Sequence, residues 1–192
     1  MIRKFGTMGS ALLLLILIIA LSSPSSELQH YGDSSKEIDT AATLSVLSKY
    51  RTWTLVNPAP VKMEPHVSVL CAAVMPENPH RDKFISVYVN EIGKQAMMMQ
   101  LHPKFPQGSM IVKEKLESTE SQSPELLTAM IKREKGYNPK SGDWEYLVLD
   151  GSASHLTKRG KLVDCSGCHL AYKITDYVTR TYLSGEVRQQ LK

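Results

Sequence analysis

Cysteine and histidine are scarce in this chain: three and six, respectively, among 192 residues. A structural zinc site needs four such ligands at characteristic spacings, and no second Cys/His cluster accompanies the one near the C-terminus. No dense Lys/Arg stripe with interleaved aromatics appears, so the sequence gives no nucleic-acid partner. Charge of either sign is close to balanced, with 23 basic against 19 acidic residues. There is no internal repeat and no low-complexity block. The apolar run from Ala11 through Leu21 falls short of the about 20 residues that a spanning helix requires.

What is there begins with that run. Arg3 and Lys4 precede it, and Ser22, Ser23, Pro24, Ser25 and Ser26 follow it with small, helix-breaking residues. A short basic region, an apolar core and a small-residue end form the pattern of a signal peptide, here over residues 1–23. An uncleaved anchor is the alternative. Either way the body of the chain is expected outside the cytoplasmic membrane, in the periplasm. No cysteine closes the leader, so a lipid anchor there has no support. Losing Arg3 and Lys4 lowers the net charge from +4 to +2. The remaining chain, about 165 residues, suits one domain with a full core.

The most informative stretch is Cys165-Ser166-Gly167-Cys168-His169. Two thiols spaced by two residues and followed at once by histidine form the attachment signature of a c-type heme. Each thiol adds across one vinyl group, and the adjacent imidazole reaches the iron as axial ligand. Cys165 and Cys168 are therefore the candidate thioether residues and His169 the candidate iron ligand, for one covalent heme c. Two heme propionates would bring the net charge near zero. A thioredoxin-like redox pair, a zinc site and a short disulfide between Cys165 and Cys168 are the alternatives. The first lacks a preceding βαβ unit, the second lacks further ligands, and the third would close too short a loop to stabilise much.

Residues 24–49 read as a polar lead-in ending in an amphipathic helix, Glu37 to Tyr50, with apolar residues at Ile38, Ala41, Ala42, Leu44, Val46 and Leu47. The heme domain is expected over 50–192. Its strands are predicted at Val67–Val74, Phe84–Val89, Ser109–Leu116, Leu126–Arg133 and Trp144–Asp150, with a helix alternative for 126–133. Helices are predicted at Glu91–Leu101 and, closing the domain, at Tyr172–Leu183. Phe105–Gly108 and Asp150-Gly151 are turns, and Gly136–Gly142 is a loop. Cys71, inside the first strand, reads as a small buried hydrophobe. Short strands joined by turns argue for an α+β fold, an antiparallel sheet with flanking helices.

Ser86-Val87-Tyr88-Val89-Asn90, Phe105-Pro106-Gln107-Gly108-Ser109, Ile111-Val112-Lys113-Glu114, Gly142-Asp143-Trp144-Glu145-Tyr146, Asp164 through His169 and Thr175-Asp176-Tyr177-Val178 occur in an order that resembles the cytochrome P-460 family, over roughly Tyr50 to Leu183. The resemblance implies a curved antiparallel sheet around one heme c, often in a homodimer. It implies an iron open to small nitrogen compounds, with hydroxylamine oxidised in some members and electrons passed to a partner cytochrome. Beta-type cytochromes c′ share the fold and bind NO and CO without catalysis. In hydroxylamine-oxidising members a lysine is bonded to the heme edge, and Lys113 matches that position. Those members also carry a distal carboxylate, where this chain has Thr128; Glu125 or Glu134 is the substitute if the alignment shifts.

A plain six-coordinate electron carrier is the remaining expectation. Its sixth ligand would come from the methionines, of which Met97, Met98 and Met99 are the densest cluster and Met110 and Met130 lie on predicted strands. Three consecutive methionines cannot all face one site on a helix, and methionine commonly fills core space. Among the remaining histidines, His66 precedes an apolar strand and is the one worth testing near the iron. His30, His80, His102 and His155 lie in loop-like surroundings.

Overall fold

The computed structural model describes Met1, residues 39–63 and residues 82–192. Contacts divide the chain into residues 1–38 and 39–192, and the fold is that of the second unit. The leader, the lead-in to residue 38, the strand expected at Val67–Val74 with Cys71, and His30, His66 and His80 lie outside the described residues. Among the described residues no helix is long and apolar enough to cross a membrane.

The unit is α+β. A helix α1 (39–47) runs into a 3-10 turn at Tyr50–Thr52, then short strands β1 (Thr54–Leu55) and β2 (Val61–Lys62). β3 (Phe84–Val89) leads into helix α2 (Glu91–Met99). Strands β4 (Met110–Leu116), β5 (Leu126–Lys132), β6 (Trp144–Asp150) and β7 (Leu156–Gly160) follow, then helix α3 (Val163–His169), a 3-10 segment (Leu170–Thr175) and helix α4 (Gly185–Gln190). The sheet is an open antiparallel meander in the order β1-β3-β4-β5-β6-β7, with β2 also paired to β3. Four of the predicted strands appear within about a residue of their expected bounds.

Local chemistry explains the joints. Asn90 caps α2 by accepting the Gly93 N–H at 3.1 Å, and Gly93, Ala96 and Met97 are its buried positions, one face at helical spacing. Gly151 follows β6 because a Cβ there would lie 1.9 Å from the Pro124 carbonyl oxygen. Strand β7 has no counterpart among the predicted elements. Its Leu-Thr-Lys-Arg-Gly sequence lies on a sheet edge and is mostly exposed or half-buried, so no apolar alternation marks it.

Both faces of the sheet are covered, which is why its strands are rich in Val, Ile and Leu. On one face Val112, Leu127, Ala129, Ile131, Leu147 and Leu149 pack with Leu47 and Tyr50 from the N-terminal elements. We call this the helix face. On the other, Val87, Val89, Ile111, Met130, Trp144 and Tyr146 pack with Tyr177, Val178, Tyr182 and Leu183, with Leu162 and Cys165 against them. This is the motif face. The closing helix expected over Tyr172–Leu183 is corrected. Helical turns stop at Thr175, and Asp176 and Tyr177 both turn left-handed, with φ of 54° and 64°.

Candidate functional site

The site is built from the motif-face residues of the central strands and from α3. In β4 the alternation sends Ile111, Lys113 and Lys115 to the motif face and Met110, Val112 and Glu114 to the helix face, where Tyr50 and Arg51 reach the Glu114 carboxylate at 2.6 and 2.8 Å. Lys113 stands opposite Val87 on β3 and Thr128 on β5, and Thr128 stands opposite Val148 on β6. Lys113 and Thr128 are thus side-by-side neighbours across one pair of strands. Glu125 and Glu134 are exposed, Glu125 in an ion pair with Lys83, and neither belongs to this row.

Cys165, Cys168 and His169 come from one helix. Positions three and four apart share a helical face, so the spacing puts both sulfurs and the imidazole on one side. Cys165 and His169 are half-buried. Ser166 folds back, its hydroxyl donating to the Leu162 carbonyl at 3.0 Å. Around them Val163, Leu170 and Ile174 remain exposed by 81%, 54% and 69%, an apolar rim left uncovered. Cys165 is a free thiol, so the short Cys165–Cys168 disulfide is not formed. Cys168 is held in a disulfide. Among the described residues no group of three or more His, Cys, Asp or Glu could hold a metal ion by itself. The strand before the motif is antiparallel to its neighbour, which does not suit a thioredoxin-like pair.

His169 is oriented by backbone. Its Nδ1 lies 2.6 Å from the Tyr177 carbonyl oxygen, which can only accept, so Nδ1 carries the proton and Nε2 keeps a lone pair. The ring packs 5.3 Å from Tyr146 and 6.5 Å from Tyr172, centroid to centroid. Burial first, then the Lys113 charge, pull the imidazole from 6.5 down to about 4, against the opposing hydrogen bond to Tyr177. The ring is therefore neutral near pH 7, the form that ligates a metal.

The Tyr177 carbonyl is held in turn. Asp176 accepts the Phe105 N–H at 2.9 Å and the Lys132 ammonium at 2.6 Å, while its own carbonyl takes the Trp144 indole N–H at 2.7 Å. Two consecutive non-glycine residues in the left-handed region cost about 1–3 kcal/mol each. The surroundings fix them there. Gly142, itself at φ 64°, permits the corner, since a Cβ on it would fall 2.5 Å from the Tyr177 ring.

The motif face is rich in amines. Lys113 lies 5.5 Å from the centre of the Tyr182 ring and, among the described residues, has no carboxylate partner. Burial lowers its amine from 10.5 to about 8. Lys115 is wholly buried, and burial followed by the Lys113 charge hold it well below the ordinary lysine value. The Cys165 thiol is raised, by burial and then by Asp164. The three consecutive methionines diverge as expected: Met97 is in the core, Met98 packs against it and Met99 is 61% exposed. Met130 lies on the motif face opposite Tyr146, whereas Met110 lies on the helix face. His102 and His155 are exposed.

Sequence reasoning singles out Lys113, Thr128, Cys165, Cys168 and His169. It passes over Lys115, although the same alternation that orients Lys113 orients it two residues on. It also passes over Tyr146, Tyr182 and the Asp176 corner, whose roles arise from tertiary contacts. An apolar rim, two thiol positions, a neutral imidazole and buried cations fit an apolar macrocycle that carries two carboxylates. No curated protein matches the chain. The family model of cytochrome P460 matches residues 48–180, well over half of the sequence, and the chain belongs to that family of heme proteins.

Proposed function

We propose that the chain is an exported c-type heme protein that carries one covalent heme and presents its iron to a small nitrogen compound. The observation that carries the proposal is the His169 ring: neutral, donating through Nδ1 to Tyr177, with Nε2 unprotonated on the helical face that bears both cysteines. Cys165 and Cys168 would supply the thioethers and His169 the axial ligand. Cys168 would first have to be released from its disulfide by exchange with a dithiol reductant, which is oxidised to a disulfide in its place, because only a thiol can add across a vinyl group. The bound heme supplies the redox-active iron; the chain supplies attachment, an oriented imidazole and a cationic, largely apolar wall.

Lys113 is the residue suited to a bond with the heme edge. With its amine near 8, a substantial neutral fraction exists in mildly alkaline solution, and a neutral amine is the nucleophilic form. Joining its nitrogen to a ring-edge carbon would remove one N–H and one C–H hydrogen, and the two electrons and two protons would have to pass to an oxidant of the peroxide class.

Two chemistries are open to such a site. Oxidation of hydroxylamine, with electrons passing to a partner cytochrome, is the reading that the family favours. Binding of nitric oxide without turnover is favoured by Thr128: the row Val87, Lys113, Thr128, Val148 holds no carboxylate to serve as general base. Periplasmic location rests on the leader, and a homodimer on the family.

Protein matured in a host able to assemble c-type cytochromes tests all of this. The expected product is coloured, with heme mass retained after denaturation through Cys165 and Cys168. A ferrous Soret band far to the red, with a heme-linked Lys113 peptide, supports the cross-link; an ordinary band and an unmodified peptide remove it. Anaerobic hydroxylamine with an artificial electron acceptor separates the two chemistries: turnover supports oxidation, and NO binding without turnover supports the gas binder. A low-spin ferrous spectrum unchanged by NO would favour the carrier. A colourless product would sink the proposal.

A further inference from the structure

We propose that Asp176 and Lys132 form a positioning pair for the His169 imidazole, acting through the left-handed corner at Asp176 and Tyr177. The inference rests on His169 as the iron ligand and adds the residues that set its orientation. The Asp176 and Lys132 side chains are 7% and 13% exposed and meet at 2.6 Å, deep in the motif face. The same carboxylate takes the Phe105 N–H, and the Asp176 carbonyl takes the Trp144 indole. Lys132 also lies 5.0 Å from the centre of the Trp144 ring, so ammonium, indole and carboxylate form one cluster. Asp176 and Tyr177 have φ of 54° and 64°, a conformation neither residue favours alone. The cluster imposes it, and the result is a carbonyl oxygen 2.6 Å from His169 Nδ1.

That hydrogen bond has a chemical consequence. An acceptor on Nδ1–H fixes the tautomer and makes Nε2 a stronger donor to a metal. Asp176 and Lys132 touch neither the ring nor its Nε2. They act through the carbonyl that they hold.

The test uses the full chain, with and without heme. In the heme-free chain, ¹⁵N spectra of labelled histidine are expected to show wild-type His169 as the Nδ1–H tautomer, and Asp176→Asn or Lys132→Gln as a mixture. In the heme-loaded chain, both variants are expected to keep their heme. Their ferrous iron–histidine stretch moves to lower frequency and their reduction potential moves upward. Lys132→Arg, which keeps the charge against Asp176, restores the wild-type values, whereas a purely structural lesion would not respond to charge. Should Asp176→Asn not fold, Lys132→Gln and Lys132→Arg carry the same comparison. Folded variants with unchanged tautomer and unchanged iron–histidine frequency overturn the proposal. If the wild type takes up no heme, the functional reading fails separately and the tautomer spectra still decide the positioning.

Discussion

Apart from the Lys132–Asp176 pair, the two faces of the sheet treat buried charge in opposite ways. On the helix face the carboxylates are matched to arginine. Glu114 has Arg51 at 2.8 Å, and Glu145 has Arg159 at 2.8 Å with Arg133 at 3.4 Å. On the motif face Lys113, Lys115 and His169 all lie below their ordinary values, with burial the largest cause for each. Paired guanidinium and carboxylate groups offset each other's desolvation; among the described residues the Lys113 amine and the His169 ring, in apolar surroundings, have no such offset. One face is therefore built for the fold. The other holds its groups in states useful to a bound partner at a cost to the fold, the usual mark of a functional site.

The sharpest way to break this contrast is to damage the helix face. Arg159→Ala leaves Glu145, 6% exposed, without its bidentate partner and with only the longer contacts to Arg133 at 3.4 Å and to the Tyr137 hydroxyl at 3.3 Å. A loss of about 3 kcal/mol in a urea melt is expected. Heme attachment and the ferrous spectrum should not change. A spectral change as large as the loss of stability would mean that the two faces are not separable.

The second effect is a pH dependence that belongs to the motif face. His169 binds its proton at about 4 when folded and at 6.5 when unfolded. Between those values the unfolded chain holds more proton, so stability rises with pH through this window and is lost as pH falls through it. At about 1.4 kcal/mol per unit, the heme-free chain should lose at most about 3 kcal/mol between pH 6.5 and 4. His169→Gln should flatten that part of a melt series. An equally steep slope in the variant would assign the acid sensitivity to other groups.

How far this contrast was legible in the sequence differs between its parts. Alternation in Ile111-Val112-Lys113-Glu114-Lys115 separates the amines from Glu114, because a half-polar strand between two covered faces has one arrangement that buries its apolar residues. The order and bounds of β3 to β6 were readable for the same reason. The cysteine spacing gave the chemistry of α3 but not its conformation, since Ser and Gly within the motif are poor helix formers. The break at Asp176 was not readable. Neither glycine nor proline marks it, and a contact to Lys132, 44 residues away, enforces it. Lys115 was within reach of the pattern, but a lysine in a strand ordinarily signals a solvated edge.

The smallest effect is the most diagnostic. Lys113 is charged at pH 7 in the unfolded chain and largely so in the folded one, where burial has lowered it from 10.5 to about 8. Replacing it by methionine removes a desolvated charge from the motif face and leaves an apolar side chain of similar length beside Tyr182. Lys113→Met should therefore stabilise the heme-free chain, by about 1–2 kcal/mol after allowance for the residue as a whole being only half-buried. In the heme-loaded chain it should abolish any red-shifted ferrous band and any ring-edge adduct, with the thioethers intact. Gain of stability together with loss of the spectral signature is what a functional face predicts. A variant that loses stability, as Arg159→Ala is expected to, would place Lys113 among the groups that hold the fold and dissolve the contrast between the faces.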